Sequence, residues 1–139
     1  MTCDELIRQL EDCTLPLPAF DHRAHVQAAF AYLQRHGYAG ALAAMASALR
    51  RFATHHGKHG LYHETVTAAF LALIHQRMAE DLAAEGQKIA LAGAQALDWQ
   101  RFAGSHPELF ARDLLARYYS QDMLRSDLAR HCFVLPKAS

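Results

Sequence analysis

The sequence predicts an all-α fold: an up-down bundle of about four main helices, with short helices at the N- and C-terminal ends. Three observations carry this. Valine and isoleucine together number six in 139 residues, while alanine dominates. Strands want β-branched residues, which are scarce here. Asparagine is absent, so the Asn-Gly hairpin signal is missing. Prolines stand only at 16, 18, 107 and 136, which leaves 19–106 free of that helix breaker. The length suits one domain spanning 1–139, and no repeat or Gly/Ser/Pro-rich linker divides it.

Each helix has its own signals. Thr2-Cys3-Asp4-Glu5 has capping-box spacing, with Leu6, Ile7 and Leu10 as the apolar stripe behind it, and LPLP at 15–18 ends the helix. Asp21 is the expected N-cap of a second helix that stops at Gly37. A third helix is expected from Tyr38 to His56, stopped by Gly57, and a fourth from Leu61 to Glu85, before Gly86. The stretch 86–104 is ambiguous, with Asp98 a candidate cap for a short helix through Trp99 and Phe102. Ser105-His106-Pro107-Glu108 reads as a second capping box, opening a helix to Tyr119. Ser120 would cap a last helix ending near His131, with Leu114, Tyr118 and Leu128 as core. The tail FVLPKAS has no periodic pattern.

Composition excludes several functions. Hydrophobic residues at 52% and charged residues at 20% are globular values, which removes disordered and collagen-like readings. Fourteen basic side chains balance fourteen acidic ones, so no whole-chain attraction for nucleic acid or anionic membrane arises. The N-terminus lacks a basic-then-apolar leader, and no apolar run reaches the ~18 residues of a membrane span. Cys3, Cys13 and Cys132 are odd in number and lack CxxC spacing, so reduced thiols in a cytoplasm are expected.

The unusual feature is ten histidines. In the second helix the apolar stripe Val26, Ala29, Phe30 and Leu33 continues backwards to His22 and His25, which are i, i+3 neighbours. In the fourth, Val66, Phe70 and Ile74 continue back to His63. Short connections make neighbouring helices antiparallel, so the starts of the second and fourth helices lie at one end of the bundle. His22, His25 and His63 should converge there. The loop THHGKHG would bring His55, His56 and His59 to the same end, as a rim or as further ligands. His36, His75, His106 and His131 should be ordinary surface or packing residues.

Three neutral imidazoles from two helices form a candidate open metal site for iron, copper or zinc. From His22 through Ala79 the one acid is Glu64, a candidate proton carrier or ligand, and Tyr62 beside it is a candidate proton donor. The basic residues of that stretch favour an anionic small-molecule substrate, and Arg130 is a candidate anion contact or a salt-bridge partner of a nearby aspartate. No HExxH, Glu-x-x-His, Walker, GxGxxG or GxSxG motif occurs, and the third helix lacks the basic face of a DNA-recognition helix.

The segments FDHRAH, YHETVT, YYS and LARHCFVLP, spread over residues 20–136, resemble a group of small uncharacterised bacterial helical proteins with F-x-H-x-x-H and Y-H-E-T-x-T motifs. At the level of fold, a helical bundle with three histidines also resembles the DinB-like metalloproteins, and that resemblance implies a bound metal. The expectation is a small metal-dependent enzyme, leaning toward an oxidoreductase. Two alternatives stay open: a non-catalytic metal-binding or sensor module, and a metal-free helical interaction protein with structural histidines. The sequence leaves the oligomeric state open, a homodimer included.

Overall fold

The computed structural model describes residues 1–86 and 97–137, and its described residues hold helices without strands. Helix α1 (Cys3–Glu11) starts at the expected box: the Glu5 N–H donates to Thr2 Oγ1 at 3.1 Å, and the Thr2 N–H to Glu5 Oε2 at 3.2 Å. Its buried side is Leu6, Ile7 and Leu10. Cys13 then takes φ +60°, and a 3-10 turn at Leu17–Ala19 leads into α2 (His22–Arg35). Asp21 caps α2 as expected, accepting the Ala24 N–H at 2.9 Å.

Helix α2 is the axis of the fold. The sequence shows a stripe, but Ala28 through Leu33 are all buried, which is the pattern of a helix packed on every side. It packs against α1, α3 (Tyr38–His55) and α4 (Glu64–Ala84). Small side chains, Ala41 and Ala48 among them, are buried on α3 and allow that close approach. Gly57 at φ +69° and Gly86 at φ +74° end α3 and α4, a left-handed geometry that glycine adopts without a Cβ clash.

The second half departs from the sequence expectation in three places. Asp98 does cap α5 (Trp99–Ser105), and Trp99 and Phe102 pack on Phe30 at ring-centroid distances of 5.4 and 4.9 Å. The expected helix from Ser105 to Tyr119 does not form. Ser105 is itself the last residue of α5, so it cannot act as a cap, and the chain makes 3-10 turns at Pro107–Phe110 and Leu114–Arg117. The leucines buried there, Leu109, Leu114 and Leu115, do not share a helical face. The last helix is two helices, α6 (Gln121–Arg125) and α7 (Asp127–His131), because Ser126 caps the second by accepting the Ala129 N–H. Tyr119, not Tyr118, is the buried tyrosine, and Leu128 is 59% exposed. Residues 87–96, within the ambiguous stretch, lie outside the described residues.

The aperiodic tail is held by side-chain chemistry. Buried Thr65 donates its hydroxyl to the Cys132 carbonyl at 2.8 Å and accepts the Val134 N–H at 3.1 Å. Tyr119 donates to the Val134 carbonyl at 2.7 Å. These bonds, with the packing of α7 on α4, draw the C-terminal segment across the start of α4. No helix among the described residues is long and apolar enough to cross a membrane.

Candidate functional site

The up-down-up path brings the starts of α2 and α4 to the same end of the bundle, where they border a cavity of about 360 Å³. Its wall is mostly apolar, with Phe20, Val26, Phe52, Val66, Phe70 and Ile74 among its residues. The polar side chains that line it are His22, His25, Tyr62, His63 and Thr67. The three histidines singled out by helical periodicity thus share one cavity. A recess of this size, largely apolar with a few polar groups, has the anatomy of a small-molecule site.

Each ring is held in place by a backbone carbonyl. A carbonyl can only accept, so the ring nitrogen facing it carries the hydrogen. His22 donates through Nε2 to the Leu109 carbonyl at 3.1 Å and stands edge-on to Phe70. His25 donates through Nδ1 to the Asp21 carbonyl at 3.0 Å and stacks on Phe20 at 3.9 Å between centroids. Among the described residues, no hydrogen bond reaches His22 Nδ1 or His25 Nε2.

His63 differs from its expected role. It is not in the first turn of α4 but is the N-cap of that helix. Its Nδ1 accepts the Val66 N–H at 3.1 Å, and its Nε2 donates to the Leu124 carbonyl at 2.6 Å. Both ring nitrogens are occupied, so His63 cannot ligate a metal without uncapping α4. The three-histidine ligand set therefore does not fit this arrangement. Among the described residues no group of three or more His, Cys, Asp or Glu side chains is placed to hold a metal ion.

Tyr62 and Glu64 form a pair: the Tyr62 hydroxyl donates to Glu64 Oε1 at 2.6 Å. Burial, then the hydrogen bond and charge of Glu64, push the Tyr62 hydroxyl above the ordinary tyrosine range. The Arg50 guanidinium sits 4.8 Å from the centre of the Tyr62 ring. Glu64 is not part of the cavity wall and reaches it through Tyr62. The loop histidines do not line the cavity either. His56 packs on Phe52 and bonds the Leu15 carbonyl, His55 stands edge-on to His56, and His59 is exposed. Arg130 donates to the Gly60 carbonyl at 2.8 Å, bracing the α3–α4 loop against α7; among the described residues no aspartate is its salt-bridge partner.

Sequence reasoning missed the contributions of distant backbone. The Leu109 carbonyl lies 87 residues from His22, and the Leu124 carbonyl 61 residues from His63. It also understated His106, whose Nε2 bonds Asp81 at 2.8 Å while its ring packs on Phe102, joining α4 to α5. The carbonyls have no spacing signal, because a backbone group leaves none in the sequence, and Asp81 lies 25 residues from His106, outside any helical spacing.

The proton state of His25 has a measurable consequence. His25 is exposed as a residue, with its ring stacked on Phe20. Loss of hydration lowers its pKa, with positive charge on His22 acting in the same direction and the Asp21 carbonyl opposing. The fold therefore favours the neutral ring. In the unfolded chain the ring takes up a proton near pH 6.5; in the fold it does so only at lower pH. This contribution is fully present above that range and is lost as pH falls through it. Urea unfolding at pH 7.5 and pH 5 should show a larger acid loss for the native chain than for His25→Phe. Equal losses would show that His25 is not held neutral by the fold.

Searches against family models, against curated proteins and against solved structures found no match to this chain. The class that fold and site define is thus physical: an all-α bundle with a largely apolar cavity and imidazoles in its wall.

Proposed function

We propose that the chain binds a compact, largely apolar small molecule in the cavity between α2, α3 and α4, and that His25 is placed to take a proton from it. One observation carries this reading: apolar side chains and two imidazoles, each with an open nitrogen, border the same recess of about 360 Å³. An imidazole kept neutral by its surroundings is a base available at neutral pH. Tyr62 and Glu64 would pass protons beside it. Among the described residues no arginine or lysine lines the cavity, so the bulk of the ligand is taken as apolar, not anionic.

Titration with N-phenyl-1-naphthylamine, a neutral dye that brightens in apolar surroundings, tests the reading. Saturable one-to-one binding is expected. A linear, unsaturable rise would reject it.

A metal-dependent enzyme, of the oxidoreductase kind or a hydrolase, is the second reading. It is favoured by the way His22 and His25 are each fixed by a carbonyl through one nitrogen, the arrangement ligating histidines commonly show. His63 would have to leave its cap to join them. Elemental analysis of protein purified without a histidine tag decides it: stoichiometric iron, copper or zinc that is lost in His22→Ala and His25→Ala but kept in His36→Ala supports a metal, and sub-stoichiometric metal rejects one.

A further inference from the structure

The sense of the hydrogen bonds around the cavity selects the ligand's polar group. This inference rests on the cavity being a small-molecule site. Five polar side chains line it, and every hydrogen they carry as neutral groups is already given to a protein acceptor. His22 gives its hydrogen to the Leu109 carbonyl, His25 to the Asp21 carbonyl and His63 to the Leu124 carbonyl. Thr67 gives its hydroxyl hydrogen to the His63 carbonyl at 2.8 Å, and Tyr62 gives its own to Glu64 at 2.6 Å. His63 Nδ1 is filled by the Val66 N–H. Among the described residues, what these side chains still offer is acceptors: His22 Nδ1, His25 Nε2 and the Thr67 oxygen, the Tyr62 oxygen already facing the Arg50 guanidinium.

A carboxylate or phosphate brought to the open nitrogens of His22 and His25 would meet lone pairs and lose hydration there, while beside Tyr62 the charge of Glu64 is offset by that of Arg50. An ether or ketone would find no side-chain donor. A hydroxyl group would find an acceptor at either open imidazole nitrogen. We propose that the cavity recognises a neutral hydroxyl compound, a phenol or alcohol on an apolar body, whose O–H donates to His25 Nε2 or His22 Nδ1. Among the described residues no basic side chain is in the wall; Arg50 stands behind Tyr62, away from the two open imidazole nitrogens on which the proposal rests.

The test is a matched series at pH 7.5: naphthalene, 2-methoxynaphthalene, 2-naphthol and 2-naphthoate, titrated by ligand-observed NMR into the native chain and into His25→Phe and His22→Phe. Phenylalanine keeps the ring contacts and removes the lone pair. 2-Naphthol is expected to bind about tenfold more tightly than the methyl ether, equivalent to about 1.4 kcal/mol. 2-Naphthoate should bind more weakly than naphthalene. At least one of the two variants should lose the hydroxyl advantage, read as the ratio of 2-naphthol affinity to naphthalene affinity in the same variant. Naphthalene and 2-naphthol binding equally, or 2-naphthoate binding tightest, would overturn the proposal and leave the cavity reading intact. No binding by any member would overturn the cavity reading itself. If a variant does not fold, the series on the native chain still decides.

Discussion

Val66→Phe is expected to reduce binding of N-phenyl-1-naphthylamine by at least about tenfold, with the fold retained. Val66 lies in the first turn of α4, half-buried, with its side chain in the cavity wall. Its backbone N–H, which donates to His63 Nδ1, is unaffected by the change of side chain. Phenylalanine adds several carbons that can enter the cavity instead of displacing packed neighbours. Overpacking of a filled core costs about 1–3 kcal/mol, whereas filling an open recess costs less and can stabilise. The binding loss should therefore come with a urea midpoint close to that of the native chain. Undiminished dye binding would mean that the dye sits elsewhere, and the cavity would lose its claim as the functional site. Unfolding of the variant would mean that the recess is not open at Val66, which contradicts the geometry on which the reading stands.

Phe30→Ala should lower unfolding free energy by about 3–5 kcal/mol, the range for removal of a large aromatic from a core. Phe30 is 0% exposed at the middle of α2, with the rings of Trp99 and Phe102 against it. Small domains are stable by about 5–15 kcal/mol in total, so this one change removes a large share. Phe30 joins α2 to α5, and α5 leads directly to the turn that carries Leu109. That carbonyl holds His22, so loosening the α2–α5 contact should also reach the cavity wall. Urea unfolding followed by circular dichroism measures the effect. A loss below about 1 kcal/mol would contradict the packing of α5 on α2.

The two predictions show how unevenly the sequence informs. Local signals were readable where a short stretch settles its own fate. Thr2 with Glu5, Asp21 and Asp98 each cap a helix within three residues, and glycines mark the ends of α3 and α4. Stripe arithmetic placed His22, His25 and His63 on inward positions, and alternating helix directions put them at one end. Those steps need only the helical repeat and short loops. They failed where the competing interaction was not local. Ser105-His106-Pro107-Glu108 has the letters of a capping box, but Ser105 already belongs to α5, which packs through Trp99 and Phe102. Tyr118 and Tyr119 are adjacent, and the tail carbonyl of Val134 draws the second inside.

Sequence alone determined the all-α class, most helix ends and the convergence of three histidines, because periodicity and capping act within a few residues. Tertiary structure alone decided what those histidines can do. Leu109 and Leu124 occupy one nitrogen on His22 and His63, Val66 fills the other on His63, and the proton on each ring follows from which partner lies beside it. Whether an imidazole offers a lone pair or a hydrogen depends on a carbonyl many residues away, and backbone carbonyls look alike at every position of a sequence.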